Sequence, residues 1–419
     1  MSKQKKSGFF IRNAEKLNNA YERSLERNDP IYLEPIHKTE EKEERVLTRT
    51  SIDWYFLLIV IAICSFGAVM SYSASFYTAE LETGDSLYYV IRHVGFILLA
   101  AIVTVPFVIL ARPWFWRLFS MLAYVASIIL LLAVLVVGAS GNGAQRWIEI
   151  GPITIQPSEI AKMAVVMFLA LIMSKYEKQI ELSQRFKGHF RYAVFYPVLV
   201  IGSICGLVML EKHLSGLIII GLLGLTTMLL GGTDKKWMLA ICAVGAVAVG
   251  VVLLFSDYAQ ERVMTWLFID KADPQGSAWQ TLQGLYAIGS GGIFGVGLGN
   301  SKQKYGYVSE PQNDFIFTII CEELGFIGAI AVMVLFGLLL WRGYKIASKA
   351  PDKFTSLVAY GLTTKIALQA ILNIAVVTNS MPNTGIALPF FSSGGTALML
   401  QIFEMGIILS ISRYSYVKK

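Results

Sequence analysis

The stretch EPQNDFIFTIICEELGFIGAIAVMVLFGLLLW, residues 310–341, decides the fold class. From Asp314 onward it is predominantly apolar and long enough to cross a bilayer as a helix, which takes about 20 residues. Glu310 and Asp314 stand one helical turn apart where a polar loop enters this run. A carboxylate at the rim of a membrane is costly unless it is used, so the position favours a functional role. The structural alternative is a helix N-cap, for which Asn and Asp are well suited.

The rest of the chain indicates a polytopic membrane protein. Of its 419 residues, 55% are hydrophobic and only 16% are charged. These proportions, with long apolar runs, predict an all-α fold of about ten transmembrane helices. The net charge of +7 does not indicate nucleic acid binding, because most Lys and Arg residues flank apolar runs. The ten runs lie at roughly 54–72, 89–110, 115–138, 158–174, 193–210, 214–231, 238–256, 314–341, 357–378 and 391–412.

Loop charges predict the orientation. Sixteen Lys and Arg residues lie in short loops and the tail on the side of the termini, against seven on the other side. The excess of positive charge predicts that both termini are cytoplasmic. The predicted organisation is a cytoplasmic tail over 1–52, a ten-helix domain over 53–412 and a cytoplasmic tail over 413–419. The domain includes a large extracytoplasmic loop at about 257–313, a length that itself suggests function.

Charged residues that are not needed for orientation collect toward the outer side. They suit an anionic lipid headgroup and acid–base chemistry, and so predict action on, or movement of, a lipid-linked phosphate. Structural alternatives remain open for some charges: an intrahelical ion pair for Glu159 and Lys162, and a pair between the last two helices for Lys365 and Glu404. The outer set comprises Arg146, Glu159, Lys162, Glu211, Lys212, Glu310, Asp314 and Glu322.

Several patches between residues 141 and 396 resemble the SEDS family, which includes the FtsW, RodA and SpoVE proteins. They are GAQRWI at 143–148 with QPSE at 156–159, the glycine-rich YAIGSGGIFGVGLGN at 286–300, and the stretch from Glu310 to Gly325. The last is PNTGIALPFFSSGGT at 382–396. The resemblance favours the FtsW/SpoVE branch over RodA. The sequence departs from the family at 212–216, KHLSG, where many relatives have Pro-Asp-Leu-Gly, and has Ser393 and Thr396 where Tyr and Ser are common.

The resemblance implies an inverting glycosyltransferase that polymerises lipid II into peptidoglycan strands, with a SEDS-type fold. Asp314 matches the family's essential aspartate and would be the general base, which must reach the attacking hydroxyl and stay ionised. Arg146 and Lys162 match basic positions and would offset charge on the leaving pyrophosphate. Glu310 would tune Asp314 or help to hold a divalent cation. The expected substrate-binding residues are Arg146, Lys162, Glu159, Glu310, Glu322, Ser392 and Gly394.

The resemblance also implies the setting of this activity. The cofactor would be a divalent cation, Mg²⁺ or Mn²⁺, although no metal ligand set is visible in the sequence. The expected partners are lipid II, a class B penicillin-binding protein and a division or related cell-wall complex, with no nucleic acid. The location would be the bacterial cytoplasmic membrane. Two other functions remain open: a lipid II flippase, which needs a polar path across the whole membrane, and a non-catalytic scaffold that recruits a transpeptidase.

Overall fold

The computed structural model describes residues 45–49, 51–141, 144–151, 153–182, 190–393 and 395–418. Gly394, one of the expected substrate-binding residues, lies outside this described part, as does most of the predicted N-terminal tail. The chain divides into a unit of Met1–Val46 with Lys418–Lys419 and a larger unit, Leu47–Val417, that holds all of the helices described here. Short strands β1 and β5 cover Arg45–Arg49 and Tyr414–Lys418.

The described residues contain nine helices that are long and apolar enough to cross a membrane. The fifth is a short π-helix, Phe190–Phe195, continued by α6. The nine are α1 Trp54–Thr83, α2 Tyr88–Leu110, α3 Pro113–Val137, α4 Pro157–Lys175, the segment ending in α6 Tyr196–Leu210, α7 Leu214–Gly231, α11 Ile316–Ser348, α12 Lys353–Val377 and α13 Gly395–Ser412.

The remaining predicted run, 238–256, is also a helix, α8, over Lys235–Phe255. It is not among the nine, and none of its described side chains is buried. The helix is therefore peripheral, whereas α4, α12 and α13 have the largest buried shares and form the centre of the bundle. A short helix α5, Glu177–Leu182, follows α4 on the side of the termini.

The outer loops are more structured than the sequence indicated. The segment after α3 is a three-stranded antiparallel sheet of β2 Ala139–Gly141, β3 Ala144–Ile150 and β4 Ile153–Ile155. In the register of this sheet Trp147 lies opposite Ala139 and Ile148 opposite Ile155. The long loop before α11 contains two helices, α9 Asp257–Leu267 and α10 Trp279–Gly291. These elements surround the start of α11, on the side of the helical region opposite the termini.

The glycine-rich segment after α10 inserts into a break in α11. Gly325 has a left-handed backbone with φ 66°, which interrupts the helix. The inserted backbone donates from Val296 N–H to Glu322 O (2.9 Å) and accepts at Gly292 O from Phe326 N–H (2.9 Å). A Cβ at Gly295 would lie only 2.1 Å from Glu323 O, so only glycine allows this approach.

The ends of the helical region lie together. The Asp53 N–H, just before α1, donates to the Ser412 hydroxyl at the end of α13 (3.2 Å). The Asp53 carboxylate also pairs with Arg342 near the end of α11 (2.9 Å). The first and last helices therefore begin and end on the same side, the side opposite Asp314 along α11.

Candidate active site

Asp314 lies in a tight turn directly before α11. Glu310 begins the turn with φ 49°, an unfavourable conformation for a residue with a side chain. The Asn313 amide donates to the Glu310 carboxylate (2.9 Å), and its N–H donates to the Glu310 carbonyl (3.0 Å). Phe315 occupies the N-cap position of α11, and no side chain accepts a capping hydrogen bond there. The helix-cap alternative for Asp314 is therefore wrong, and the carboxylate is left for another purpose.

Neutral side chains hold the backbone of this turn. Asn373, fully buried in α12, donates to the carbonyls of both Asp314 (2.7 Å) and Ile386 (2.6 Å). The Ser392 hydroxyl donates to the Asn313 carbonyl (2.8 Å), and the Ser393 hydroxyl bonds to the Asn313 side chain. Ser392, expected to bind substrate, thus fixes the turn that carries Asp314. Asn373 was not among the predicted site residues. A lone Asn inside an apolar run could have indicated it, because a polar side chain within a membrane helix needs a partner.

The Asp314 carboxylate is half-buried, and both acidic and basic side chains act on it. A Cβ on Gly385 would lie 3.0 Å from its Oδ2, so the C-terminal motif approaches it closely. Burial, and then repulsion from Glu310, raise the pKa of Asp314 to about 6, while Arg262 and Arg146 act to lower it. This pKa is high enough for a useful base and low enough for the carboxylate to be mostly ionised at neutral pH.

Arg146, on β3, contacts the turn that joins α6 to α7 and also acts electrostatically on Asp314. Its guanidinium donates to the Lys212 carbonyl (2.7 Å), and Lys212 itself has a left-handed backbone with φ 54°. Beside it Glu211 is only 1% exposed, and neither of its carboxylate oxygens has a hydrogen-bond partner among the described residues. Burial raises the pKa of Glu211 to about 8, against the opposing effect of Arg146. Glu211 is therefore mostly protonated at neutral pH, which leaves the Arg146 charge available to an anion.

His213 completes this turn and departs from the family aspartate. It is buried, and its Nδ1 makes no hydrogen bond within the described part of the chain. Burial lowers the pKa of His213 to about 3, with Arg146 and Lys162 acting in the same direction. The imidazole is therefore neutral at physiological pH, and it adds no charge to the site.

Glu159 and Lys162 belong to a buried network below the site. Lys162 donates to Glu159 Oε1 (2.5 Å), and Lys365 on α12 lies 3.9 Å from Glu159 Oε2. Lys365 also pairs with Glu404 on α13. Both ion pairs that the sequence left open as structural alternatives, Glu159 with Lys162 and Lys365 with Glu404, are present, and one network joins them. Lys162 is only 2% exposed, so it would have to leave Glu159 to reach a ligand.

Glu322 and Glu323 anchor the inserted glycine-rich segment. Glu322 accepts from the Ser301 hydroxyl (2.5 Å) and from the Lys302 N–H (2.8 Å). Glu323 accepts from Ser73 on α1 (2.5 Å) and pairs with the fully buried Lys304 (2.7 Å). Glu322, expected to bind substrate, is thus committed to the loop that supports the start of α11.

A cavity of about 440 Å³ lies on the same side of the helical region as Asp314, and Arg262 and Asn383 are among its lining residues. It is lined by α9, the start of α10 and the turn after α12, with amide, hydroxyl and indole groups. Arg262 links it to Asp314: the guanidinium donates to the Asn383 carbonyl (2.8 Å), two residues before Gly385. Trp266 donates to the Asn379 carbonyl (2.9 Å). Arg262 could not be predicted as part of the site, because no local sequence pattern shows that α9 packs against residue 383.

A metal ion would find few protein ligands here. Within residues that the structure describes, no group of three or more His, Cys, Asp or Glu side chains is arranged to hold a metal. Glu310 and Asp314 are the two carboxylates of the site, and they influence each other electrostatically. Two oxygen donors fit Mg²⁺ or Mn²⁺ that keeps most of its waters and takes further oxygens from a phosphate ligand.

Comparison with known proteins gives a consistent match. The family model described as "Cell cycle protein", which unites FtsW, RodA and SpoVE, matches residues 53–417. The chain is 38% identical over 371 residues to stage V sporulation protein E of Bacillus subtilis, covering 88% of this chain and 98% of the relative. It is 36% identical over 365 residues to a probable peptidoglycan glycosyltransferase FtsW of Trichlorobacter lovleyi, covering 86% and 93%.

Solved structures share the fold. A chain from a study of the structural coordination of polymerization and crosslinking by a peptidoglycan synthase complex aligns with TM-score 0.70 and 27% identity. The alignment covers 86% of this chain and 98% of that one. The rod shape determining protein RodA of Thermus thermophilus aligns with TM-score 0.63 and 25% identity, over 86% and 97% of the two chains.

Proposed function

The chain belongs to the FtsW/RodA/SpoVE family of cell-cycle proteins, and from this premise we propose that it is a peptidoglycan glycosyltransferase that polymerises lipid II. The observation that carries the proposal is the Asp314 carboxylate. It caps no helix, its backbone is fixed by Asn373, and burial and the Glu310 charge raise its pKa to about 6. The relatives supply the class of substrate, because FtsW of Trichlorobacter lovleyi is named for peptidoglycan glycosyl transfer.

In the proposed reaction, the 4-hydroxyl of the acceptor sugar attacks the anomeric carbon of the donor. The bond to the undecaprenyl pyrophosphate breaks on the opposite face, which inverts the configuration. Asp314 takes the hydroxyl proton as the new bond forms, a role that requires hydrogen-bond contact with that hydroxyl. The cavity lined by Arg262 and Asn383 would hold the sugar units, since Arg262 lies within electrostatic reach of the base.

The leaving pyrophosphate carries negative charge that a cation must stabilise. We assign this role to Arg146. Its side chain is half-exposed, and its charge is not neutralised by Glu211, which is mostly protonated. It also lies within electrostatic reach of Asp314. A fixed cation at the developing charge lowers the barrier because it needs no reorganisation. Lys162 would support this site through Glu159 and the network beneath it.

A divalent cation is the proposed cofactor. Glu310 would help to hold it, and the pyrophosphate would provide further oxygens. When bound, Mg²⁺ or Mn²⁺ would neutralise part of the phosphate charge. Glu310 also acts without it, because its own charge raises the pKa of Asp314.

The proposed orientation puts this site on the outer face of the cytoplasmic membrane and both termini in the cytoplasm. It is supported by the sixteen-to-seven bias of basic residues and by the hydrogen bond between Asp53 and Ser412. Ser277 and Ser348 are both exposed and lie on opposite sides in this arrangement. In cells carrying Cys242→Ser, an impermeant thiol reagent should label Ser277→Cys and spare Ser348→Cys. The reverse pattern would overturn the orientation.

The proposed partner is a class B penicillin-binding protein that crosslinks the new strands, within a division or related cell-wall complex. Support comes from the solved neighbour, which was studied for the coordination of polymerization and crosslinking in a peptidoglycan synthase complex. The flippase alternative has less support, since Lys365 and Glu404, the charges within the helices that a polar path would use, are fully buried and paired with each other.

The test is polymerisation of labelled lipid II by the purified full-length chain with its partner in detergent micelles. Micelles have no two compartments, so flipping cannot contribute to the product. Glycan strands from the complex, with none from the partner alone, are the expected result. No strands from a complex that has assembled would favour the scaffold and overturn the enzymatic assignment.

A further inference from the structure

A second cavity lies at the opposite end of the helical region from Asp314. Its volume is about 340 Å³, and it is formed by the approach to α1, the last two turns of α11, the end of α13 and the first residue of β5. Nothing in the proposed glycosyl transfer uses it. Its walls combine isoleucine side chains with basic groups, which is the composition expected of an amphipathic ligand site.

The electrostatics of this cavity favour an anion. Asp53 is the one carboxylate among its lining residues. It forms an ion pair with Arg342, whose Nε lies 2.9 Å from Oδ1 and 3.0 Å from Oδ2. Lys345 and Lys349 also line the cavity, and both are exposed. Neither lysine forms an ion pair with any residue that the structure describes. The Asp53–Arg342 pair is neutral as a whole, so the two lysines leave the cavity with an excess of positive charge.

Aromatic residues set the height of the cavity relative to the membrane. Trp54, Tyr55 and Trp341 are 61%, 69% and 59% exposed, although they are large and amphipathic. Such residues concentrate at the membrane–water interface, at the level of lipid headgroups. The Arg342 guanidinium lies over the Tyr55 ring (4.9 Å), and the Lys345 ammonium over the Trp341 ring (5.4 Å). The basic groups are therefore held at the depth where a phospholipid carries its phosphate.

We propose that this cavity binds the headgroup phosphate of an anionic phospholipid in the leaflet on the side of the termini. The phosphate would lie against Lys345 and Lys349, and the glycerol would lie against Ile346 and Ile411. Basic pockets between transmembrane helices on the cytoplasmic side are suited to such headgroups. Because the pocket joins the start of α1 to the ends of α11 and α13, the bound lipid would stabilise the packing of these three helices. The proposal does not depend on the glycosyltransferase assignment.

The test uses the full-length protein in detergent, with native mass spectrometry to count bound lipids and thermal unfolding to measure stabilisation. The ligands are phosphatidylglycerol, phosphatidylcholine with matched acyl chains, and glycerol 3-phosphate as a soluble phosphate. The double variant Lys345→Gln/Lys349→Gln is compared with Lys235→Gln/Lys236→Gln. The control pair is exposed at the start of α8, on the same side, and loses the same charge.

Phosphatidylglycerol should bind to and stabilise the wild type, and the other two ligands should do so only weakly. Affinity for phosphatidylglycerol should fall about 5-fold per lysine, or about 30-fold in Lys345→Gln/Lys349→Gln. The control pair should lose less than about 3-fold, since it lines no such cavity. Equal losses in both double variants would overturn the proposal in favour of general surface attraction. Equal stabilisation by phosphatidylcholine or by glycerol 3-phosphate would also overturn it.

Discussion

Charged residues at two depths of this protein are arranged in different ways. In the centre of the bundle, Glu159, Lys162, Lys365 and Glu404 form a closed network in which each charge has an opposite charge within 3.9 Å. Around Asp314 the charges are half-buried and unevenly paired, and the turn that carries them is held by neutral hydrogen bonds from Asn373 and Ser392. The deep network is what a bundle needs to tolerate buried charge. The outer arrangement keeps charge available, which is what catalysis needs.

The largest expected effect is on the stability of the deep network. Lys365→Met leaves Glu404 buried without its counter-charge, and removing one partner of a buried pair typically costs about 3–5 kcal/mol. The double variant Lys365→Met/Glu404→Leu removes both charges and should regain most of that loss, since Glu159 keeps Lys162. Unfolding of the purified variants in a denaturing detergent measures both changes. If Lys365→Met were as stable as the wild type, the buried charges would not stabilise one another, and the contrast between the two regions would be wrong.

A smaller effect, on activity alone, is expected from the outer arginine. Arg146→Gln should lower kcat/KM for lipid II by about 10- to 150-fold, the equivalent of a lost charge-assisted contact of about 1.5–3 kcal/mol. Its stability should change little, because the Arg146 side chain makes a single hydrogen bond among the described residues, to the Lys212 carbonyl at 2.7 Å. The matched control is Lys271→Gln, an exposed cation of the same outer face. Normal turnover of Arg146→Gln at limiting lipid II would make Arg146 a structural residue.

The smallest effect expected is a shift of the pH profile. The rate should fall as the pH drops through about 6, because Asp314 must be ionised to accept a proton. Glu310 raises the pKa of Asp314, so Glu310→Gln should move this acid limb to lower pH. Arg262 lowers the same pKa, so Arg262→Gln should move the limb to higher pH. Rates of lipid II polymerisation across pH measure both, and shifts in the same direction would exclude Asp314 as the group that titrates.

Sequence patterns predicted the helices well and the contacts between them poorly. Each of the ten apolar runs became a helix, because length and hydropathy decide where a chain can cross a membrane. Ends were less accurate: the first run was predicted to stop at residue 72, whereas α1 extends to Thr83. The sheet of β2, β3 and β4 was not predicted, although residues 148–155, IEIGPITI, alternate apolar and polar residues on both sides of a Gly-Pro pair. Two of its strands have only three residues each, too few for a periodic pattern to stand out.

The candidate site was predicted in part. Glu310 and Arg146 each act electrostatically on Asp314, so these three residues are near neighbours, and their roles stay predictions. Ser392 and Glu322 hold backbone and neighbouring side chains, which a motif match cannot distinguish from substrate binding. The break of α11 at Gly325 arises from a segment inserted some thirty residues away in sequence, so no local pattern encodes it.

The central claim is that Asp314 is the general base of lipid II polymerisation, and Asp314→Asn tests it most directly. The change keeps the size of the side chain and the backbone carbonyl that Asn373 holds, and it removes only charge and basicity. The assay is polymerisation of labelled lipid II by the purified variant in complex with its transpeptidase. We expect the Asp314→Asn protein to fold and to bind its partner, and its rate of lipid II polymerisation to be about 10²–10⁴-fold lower than that of the wild type. Near-normal polymerisation by Asp314→Asn would contradict it.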